Sequence, residues 1–360
     1  MPRLSYAGSL SLALLAATGC SSGRPGGEGA GPDSGVTADA APLTTGIRTL
    51  AGSSEAAFAD GDRATGRFSD PVNVAWGPDG ILYVADFDNN RIRAVTADGT
   101  TTTVIDDPHF QRPYGLVFAQ DGSLIVSTDN DQTGTGHDSM SGTVWKVDIA
   151  AKSATVVANA VGRPRGLAVM GDGRIAMTDE FHHVIRTLDL ATGTIAALAG
   201  TWDAAGMVDA VGAAARFSTP YGIATRPDGS VVVADFDNSR IRAVAMDGTV
   251  TTLAGTTAGF ADGAIATAQF AHPQALALGA NGDLFVTDMD NHRVRKLAGS
   301  TVTTVAGNGT AGWVDADTAA ASELYGMEGL ALDKPGTVLY IADGNRGEAV
   351  PYNRIRQVKL

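Results

Sequence analysis

The chain has 360 residues, 44% of them hydrophobic but only 6% aromatic, with 45 glycines and a formal net charge of −13. That charge argues against nucleic acid or an anionic membrane surface as a partner, because both are polyanions that need basic surface to bind. The single cysteine, Cys20, excludes an intramolecular disulfide, and the scarcity of aromatics leaves the core to Ala, Val, Leu and Ile.

In chain order, Arg3 precedes an apolar run over residues 10–17, followed by Thr18-Gly19-Cys20. A short basic start, a brief apolar stretch and small residues predict a secretory signal over residues 1–19 rather than a spanning helix. Small residues ending on a cysteine resemble a bacterial lipobox, with Ala17 where Leu is usual. The resemblance implies that Cys20 becomes a lipidated N-terminus and that the protein sits in the bacterial cell envelope, extracytoplasmic, at the outer membrane, periplasm or cell surface. Residues 20–45, rich in Gly, Ser, Ala and Pro with no apolar periodicity, read as a flexible tether.

From Gly46 onward one unit returns six times. Val84–Val95 (VADFDNNRIRAV) recurs at 233–244 and 286–297, more loosely at 126–147 and 177–188, and last at 341–358. The repeated aspartates are read as Asp86, Asp129, Asp179, Asp235, Asp288 and Asp343, about fifty residues apart, which signals stacked repeats. In the fourth unit, strands are expected at 222–225, 230–234, 240–245 and 250–254, joined by Pro-Asp-Gly, Asp-Asn-Ser and Asp-Gly turns. Four short antiparallel strands cannot bury both faces of their sheet alone, so six sheets pack around an axis. The expected fold is an all-β six-bladed propeller over residues 46–360. The last unit stops after its third strand, and residues 46–52 match the fourth-strand pattern of 250–255. The N-terminal strand is therefore expected to complete the last blade and close the ring.

At each Pro-x-Gly junction the scaffold repeats while the residue beside it changes. Asn73 (beside Val72), Tyr114, Arg165, Tyr221, Gln274 and Glu328 are expected to ring the mouth of the central channel. Such a mixture suits a small polar ligand; the other reading is a hydrated rim. Four long connections, at 52–71, 200–220, 255–273 and 307–325, share a pattern of an apolar residue, then Asp, then Phe or Leu. Phe58/Asp60/Phe68 is one copy. They are expected on the same face as a binding rim, or, as repetition favours, as plugs in which the Asp caps a short helical turn.

Asp86, Asp88 and Asn89 offer oxygens of the kind calcium takes, but they are also ordinary turn residues that an arginine pairs with. The histidines His109, His137, His182, His183, His272 and His292 show no zinc spacing, although a zinc site assembled from separate blades stays open.

The recurring Pro-x-Gly, apolar strand, Asp-Gly, LYVAD, Asn, Arg-Ile/Val pattern resembles the NHL repeat, within the TolB-like class of six-bladed propellers, over residues 46–360. Residues 131–142 stand as an insertion in the second copy. The anchor, the tether, the regular blades and the lack of a catalytic constellation lead to the expectation of a non-catalytic module binding a protein, peptide or glycan on the long-connection face, held to the membrane through its lipid anchor alone, as a monomer. Similar propellers include peptidyl-amidoglycolate lyases, streptogramin lyases and gluconolactonase-like lactonases. That alternative implies a divalent metal, with Glu328 and Asn73 as candidate ligands on neighbouring blades. A purely structural part of an envelope assembly is a third reading.

Overall fold

Each repeat alternates runs of Val, Ile, Leu and Thr with Gly- or Asn-containing turns, a pattern that favours short hairpins over helices. A computed structural model describes residues 43–348 and 350–360; the expected signal, Cys20 and tether residues up to 42 lie outside the described residues. Blade 4 shows the build: an inner strand Pro220–Thr225, then Val231–Asp235, Arg240–Val244 and an outer strand Val250–Ala254, antiparallel throughout. Gly229 (φ 82°) and Gly248 (φ 83°) supply the left-handed residues that its two tight turns require.

The described residues form six such sheets, blade 5 carrying an additional two-residue strand at Gly263–Ala264. Blade 6 takes Gly326–Leu332, Val338–Gly344 and Asn353–Lys359 from the C-terminal end and Ile47–Ser53 from the N-terminal end. The expected ring closure is therefore present. The core lies between blades: Val72, Ala85 and Ile92 of blade 1 pack with Leu116, Val126 and Trp145 of blade 2, and Val84 packs with Ala342 and Ile355 across the closure.

A buried guanidinium locks four of the blades. In blade 1, Arg93 donates to Asp86 at the end of the second strand (2.7 Å), to Asp60 in the preceding long connection (2.7 Å) and to the carbonyls of Ala59 and Arg67. Arg242 joins Asp235 and Asp209, Arg295 joins Asp288 and Asp262, and Arg356 joins Asp343 and Asp315 in the same way. All four arginines are fully buried. A charge at that depth is tolerable only when it is paired, and each lock meets it with two carboxylates and backbone oxygens, although the Arg93 Nε–H is left without a partner.

Two expectations change here. The long-connection aspartates do not cap helical turns: Asp60 accepts from Arg93 and from the Thr103 backbone N–H of the outer strand, and Asp209 does the same with Arg242 and Thr252. The long connections thus fold over the blade that follows them. Asp129, for its part, is not the repeat aspartate of blade 2. The pairing of Pro113 with Thr128 matches that of Pro71 with Asp86, which puts Thr128 at the repeat position. Trp145 occupies the arginine position and its indole N–H donates to the Thr128 hydroxyl (2.9 Å), a neutral substitute for the ion pair. Asp129 lies one residue further on, and period-2 geometry sends it elsewhere.

Candidate functional site

The inner strands carry a register shift at one place in all six blades, between Pro71 and Asn73 in blade 1 and at the equivalent points of the others. A bulge re-aims the side chain beside it. Here the bulged residues are Val72, Tyr114, Arg165, Tyr221, Gln274 and Glu328, and all but the buried Val72 line one central cavity, with Asn73 standing in for it in blade 1. Neighbouring inner strands approach closely at this level. A Cβ on Gly222 would stand 2.2 Å from the Gln274 carbonyl oxygen, and one on Gly166 would stand 2.5 Å from that of Tyr221. Glycine at the junction is therefore a packing requirement, and it draws the ring tight.

The ring is tied across the channel. The Tyr114 hydroxyl of blade 2 donates to the Glu328 carboxyl of blade 6 (2.9 Å), and the Gln274 amide of blade 5 donates to the Tyr114 oxygen (3.0 Å). Arg165 lies over the Tyr114 ring (4.3 Å) and donates to Asp129 (2.7 Å) and Glu180 (3.1 Å). Arg163 shares Asp129 (3.1 Å). Sequence reasoning missed Asp129 and Glu180 as rim residues. Counting the strand register forward from Leu124 and Ile175, as Leu82 leads to Asp86, would have found both, since each directly follows the repeat position.

Electrostatics follow from this geometry. Burial pushes the Glu328 carboxyl up to about 8, and the negative charge of Asp70 pushes it the same way. Asp70 is itself raised to about 6 by burial, against the Asn345 N–H that it accepts. Burial raises Tyr114 well above the phenol range and Tyr221 to about 12. Arg165 stays charged: burial acts against it, but Asp129 and Glu180 together outweigh that.

The cavity, about 360 Å³, extends from the ring along the inner strands to their last residues, including Trp76, Phe118 and Thr225. Below the ring its wall carries Val74, Leu116, Leu167, Ile223, Leu276 and Leu330. No residue of the long connections lines it. The ring was expected at the mouth of the central channel, and the space it borders lies on the side away from the long connections, because the cross-channel hydrogen bonds occupy the level nearest that face.

The ring does not fit a calcium or zinc site. Asn73 turns its Oδ1 to the Val74 N–H (2.9 Å), and Glu328 is committed to Tyr114. Among the described residues no three His, Cys, Asp or Glu side chains gather as metal ligands. The histidines are separately engaged: His109 with Asp107, His137 near Arg112, His182 with Asp179, His183 with the Thr219 N–H, and His272 with Asp290, while His292 stacks beside Tyr325. Asp88 stands exposed at the rim, and Asn89 donates to Asp86 (2.9 Å), a turn-stabilising role.

Comparison with known proteins places this geometry. Residues 270–297 match the NHL repeat family model. The human NHL repeat-containing protein 2 is 26% identical over 306 residues, which is 79% of this chain and 39% of that protein. The chain spans well under half the length of the curated relatives it matches. Among solved structures, an auxiliary nutrient binding protein from Bacteroides ovatus superposes with a TM-score of 0.67 at 20% identity, covering 87% of this chain and 76% of that one. A gluconolactonase from Xanthomonas campestris superposes with a TM-score of 0.58 at 17% identity, covering 92% and 99%. These likenesses agree with the fold, a six-bladed β-propeller, and one of its repeats, at residues 270–297, matches the NHL model.

Proposed function

We propose that this propeller is a non-catalytic binding module that captures a small ligand in its central channel. The observation that carries the reading is the contrast at the bulge: scaffold positions repeat, while Asn73, Tyr114, Arg165, Tyr221, Gln274 and Glu328 differ from blade to blade and converge on one cavity. A rigid scaffold with a few convergent polar groups is what small-molecule recognition requires. A structural neighbour described as a nutrient binding protein is compatible with the reading. On this account Cys20 carries a lipid anchor and the tether presents the propeller in the cell envelope as a monomer. Palmitate labelling that disappears in Cys20→Ser, with release of the protein from the membrane fraction, is the expected result for the anchor.

The channel is tested by calorimetric screening of neutral saccharides, short peptides and small amphiphiles against the wild type and Gln274→Ala. A saturable ligand whose affinity falls at least tenfold in the variant is expected. A ligand indifferent to Gln274 but lost in Phe58→Ala or Phe260→Ala would move the site to the long connections and contradict the reading.

A further inference from the structure

Three features of the cavity define the chemistry of what it holds. First, its cations are already paired. Arg165 and Glu328 are the only ionisable residues lining it apart from the tyrosines. Arg163 and Arg165 are matched by Asp129 and Glu180, within 2.7 to 3.9 Å, and Glu328 is hydrogen-bonded to uncharged partners. An anionic ligand would be desolvated with no free cation to meet it, since both arginines are already paired, and would stand beside the Glu328 carboxyl.

Second, two hydrogen-bonding groups on the lining are unused. Among the described residues neither the Tyr221 hydroxyl nor the Asn73 amide nitrogen has a hydrogen-bond partner, and both side chains are partly accessible. They sit on blades 4 and 1, apart from the Tyr114–Gln274–Glu328 cluster, so the ring offers donors and acceptors at separate points around one level. Third, the wall changes character within two residues of the ring, to Val74, Leu116, Leu167, Ile223, Leu276 and Leu330. It ends at Trp76, Phe118 and Thr225, where a second depression shares Thr225, Leu278 and Leu332.

We infer that the channel takes an uncharged amphiphile, with a hydroxylated head against the polar ring and a short apolar tail along the aliphatic wall, admitted from the face opposite the long connections. The inference rests on the channel-binding reading above and adds the ligand class and the direction of approach. The tail gains by leaving water, roughly fourfold in affinity for each buried methylene, while the hydroxyls of the head meet Tyr221 and Asn73 without bringing in a charge.

The test titrates the full-length protein calorimetrically with three probes, all below any micelle concentration: n-hexyl β-D-glucoside, glucose and hexanoate. Hexyl glucoside is expected to bind at least tenfold tighter than glucose, and hexanoate not to bind. Tyr221→Phe is expected to weaken both sugars, and Leu276→Gln to remove only the advantage of the tail. Thr225→Trp, at the partly exposed far opening, guards against a misfolded Leu276 variant and is expected to block hexyl glucoside while the protein stays folded, its cooperative unfolding kept although the Thr225 hydrogen bond to the Val169 carbonyl is lost. Equal affinity for glucose and hexyl glucoside would overturn the tail while leaving the channel reading intact. Hexanoate binding as tightly as hexyl glucoside would overturn the uncharged head. No binding of any probe would overturn the inference, and binding that survives both Tyr221→Phe and Thr225→Trp would overturn it together with the reading beneath it.

Discussion

Blades 1, 4, 5 and 6 differ from blades 2 and 3 in two respects that go together. The four have a buried arginine joining two aspartates, and each follows a long connection that supplies the second aspartate. Blades 2 and 3 follow the short connections at 106–112 and 159–163 and lack the lock. Blade 2 substitutes Thr128 and Trp145; in blade 3, Asp179 turns to His182 (2.9 Å) while Arg186 donates to the Val161 carbonyl. The carboxylates that hold the ring arginines come from these two blades alone: Asp129 from blade 2 and Glu180 from blade 3. Where the repeat is most regular its repeat aspartate serves the arginine lock, and where it lapses the next residue supplies a carboxylate to the ring arginines.

The largest effect expected from this division is Arg295→Met. It leaves Asp288 buried without its cation and is expected to cost about 3–5 kcal/mol in urea unfolding. Arg186→Met in blade 3 is expected to cost about 1 kcal/mol, the value of one ordinary hydrogen bond. Equal losses would erase the contrast between the two kinds of blade. Asp60→Ala is smaller than the Arg295 change, about 1–3 kcal/mol, because its carboxylate is half exposed while it joins Arg93 to the outer strand.

Glu328→Gln sharpens the ring side of the comparison through pH. The folded-state carboxyl is raised to about 8 from an ordinary 4.5, so the folded state holds its proton longer than the unfolded one. The stability this contributes is complete below about pH 4.5 and is lost as pH rises through about 8. The unfolding midpoints of wild type and Glu328→Gln should agree near pH 4.5 and diverge in favour of the Gln variant towards pH 8. Constant separation across that range would show that Glu328 ionises normally. The smallest effect is Phe260→Ala, which removes a ring 4.0 Å from the Arg293 guanidinium, at about 0.5–1 kcal/mol.

Much of the fold was legible in the sequence because it is periodic. The repeated LYVAD-type strand fixes the second strand of each blade, and the orphan strand at Ile47–Ser53 fixes the closure, since an unpaired edge needs a partner. The inner strand was expected at 222 and begins at Pro220, because a bulge adds residues that no alternation pattern reports. Asp129 was misplaced for a related reason: similarity of residue type outweighed the register count, and one residue of slip changes the direction of a side chain. The ring positions stood out in the sequence by varying where their surroundings did not. Which side of the ring holds the space was not legible, because it depends on hydrogen bonds between residues as far apart as Tyr114 and Glu328.

The most direct test of the account is a crystal structure of the protein soaked with n-hexyl β-D-glucoside. The account predicts ligand density in the central channel, with the head within hydrogen-bonding reach of Tyr221 and Asn73 and the tail beside Leu276. Density on the long-connection face, above Asp129 and Glu180, with an empty channel, would contradict it.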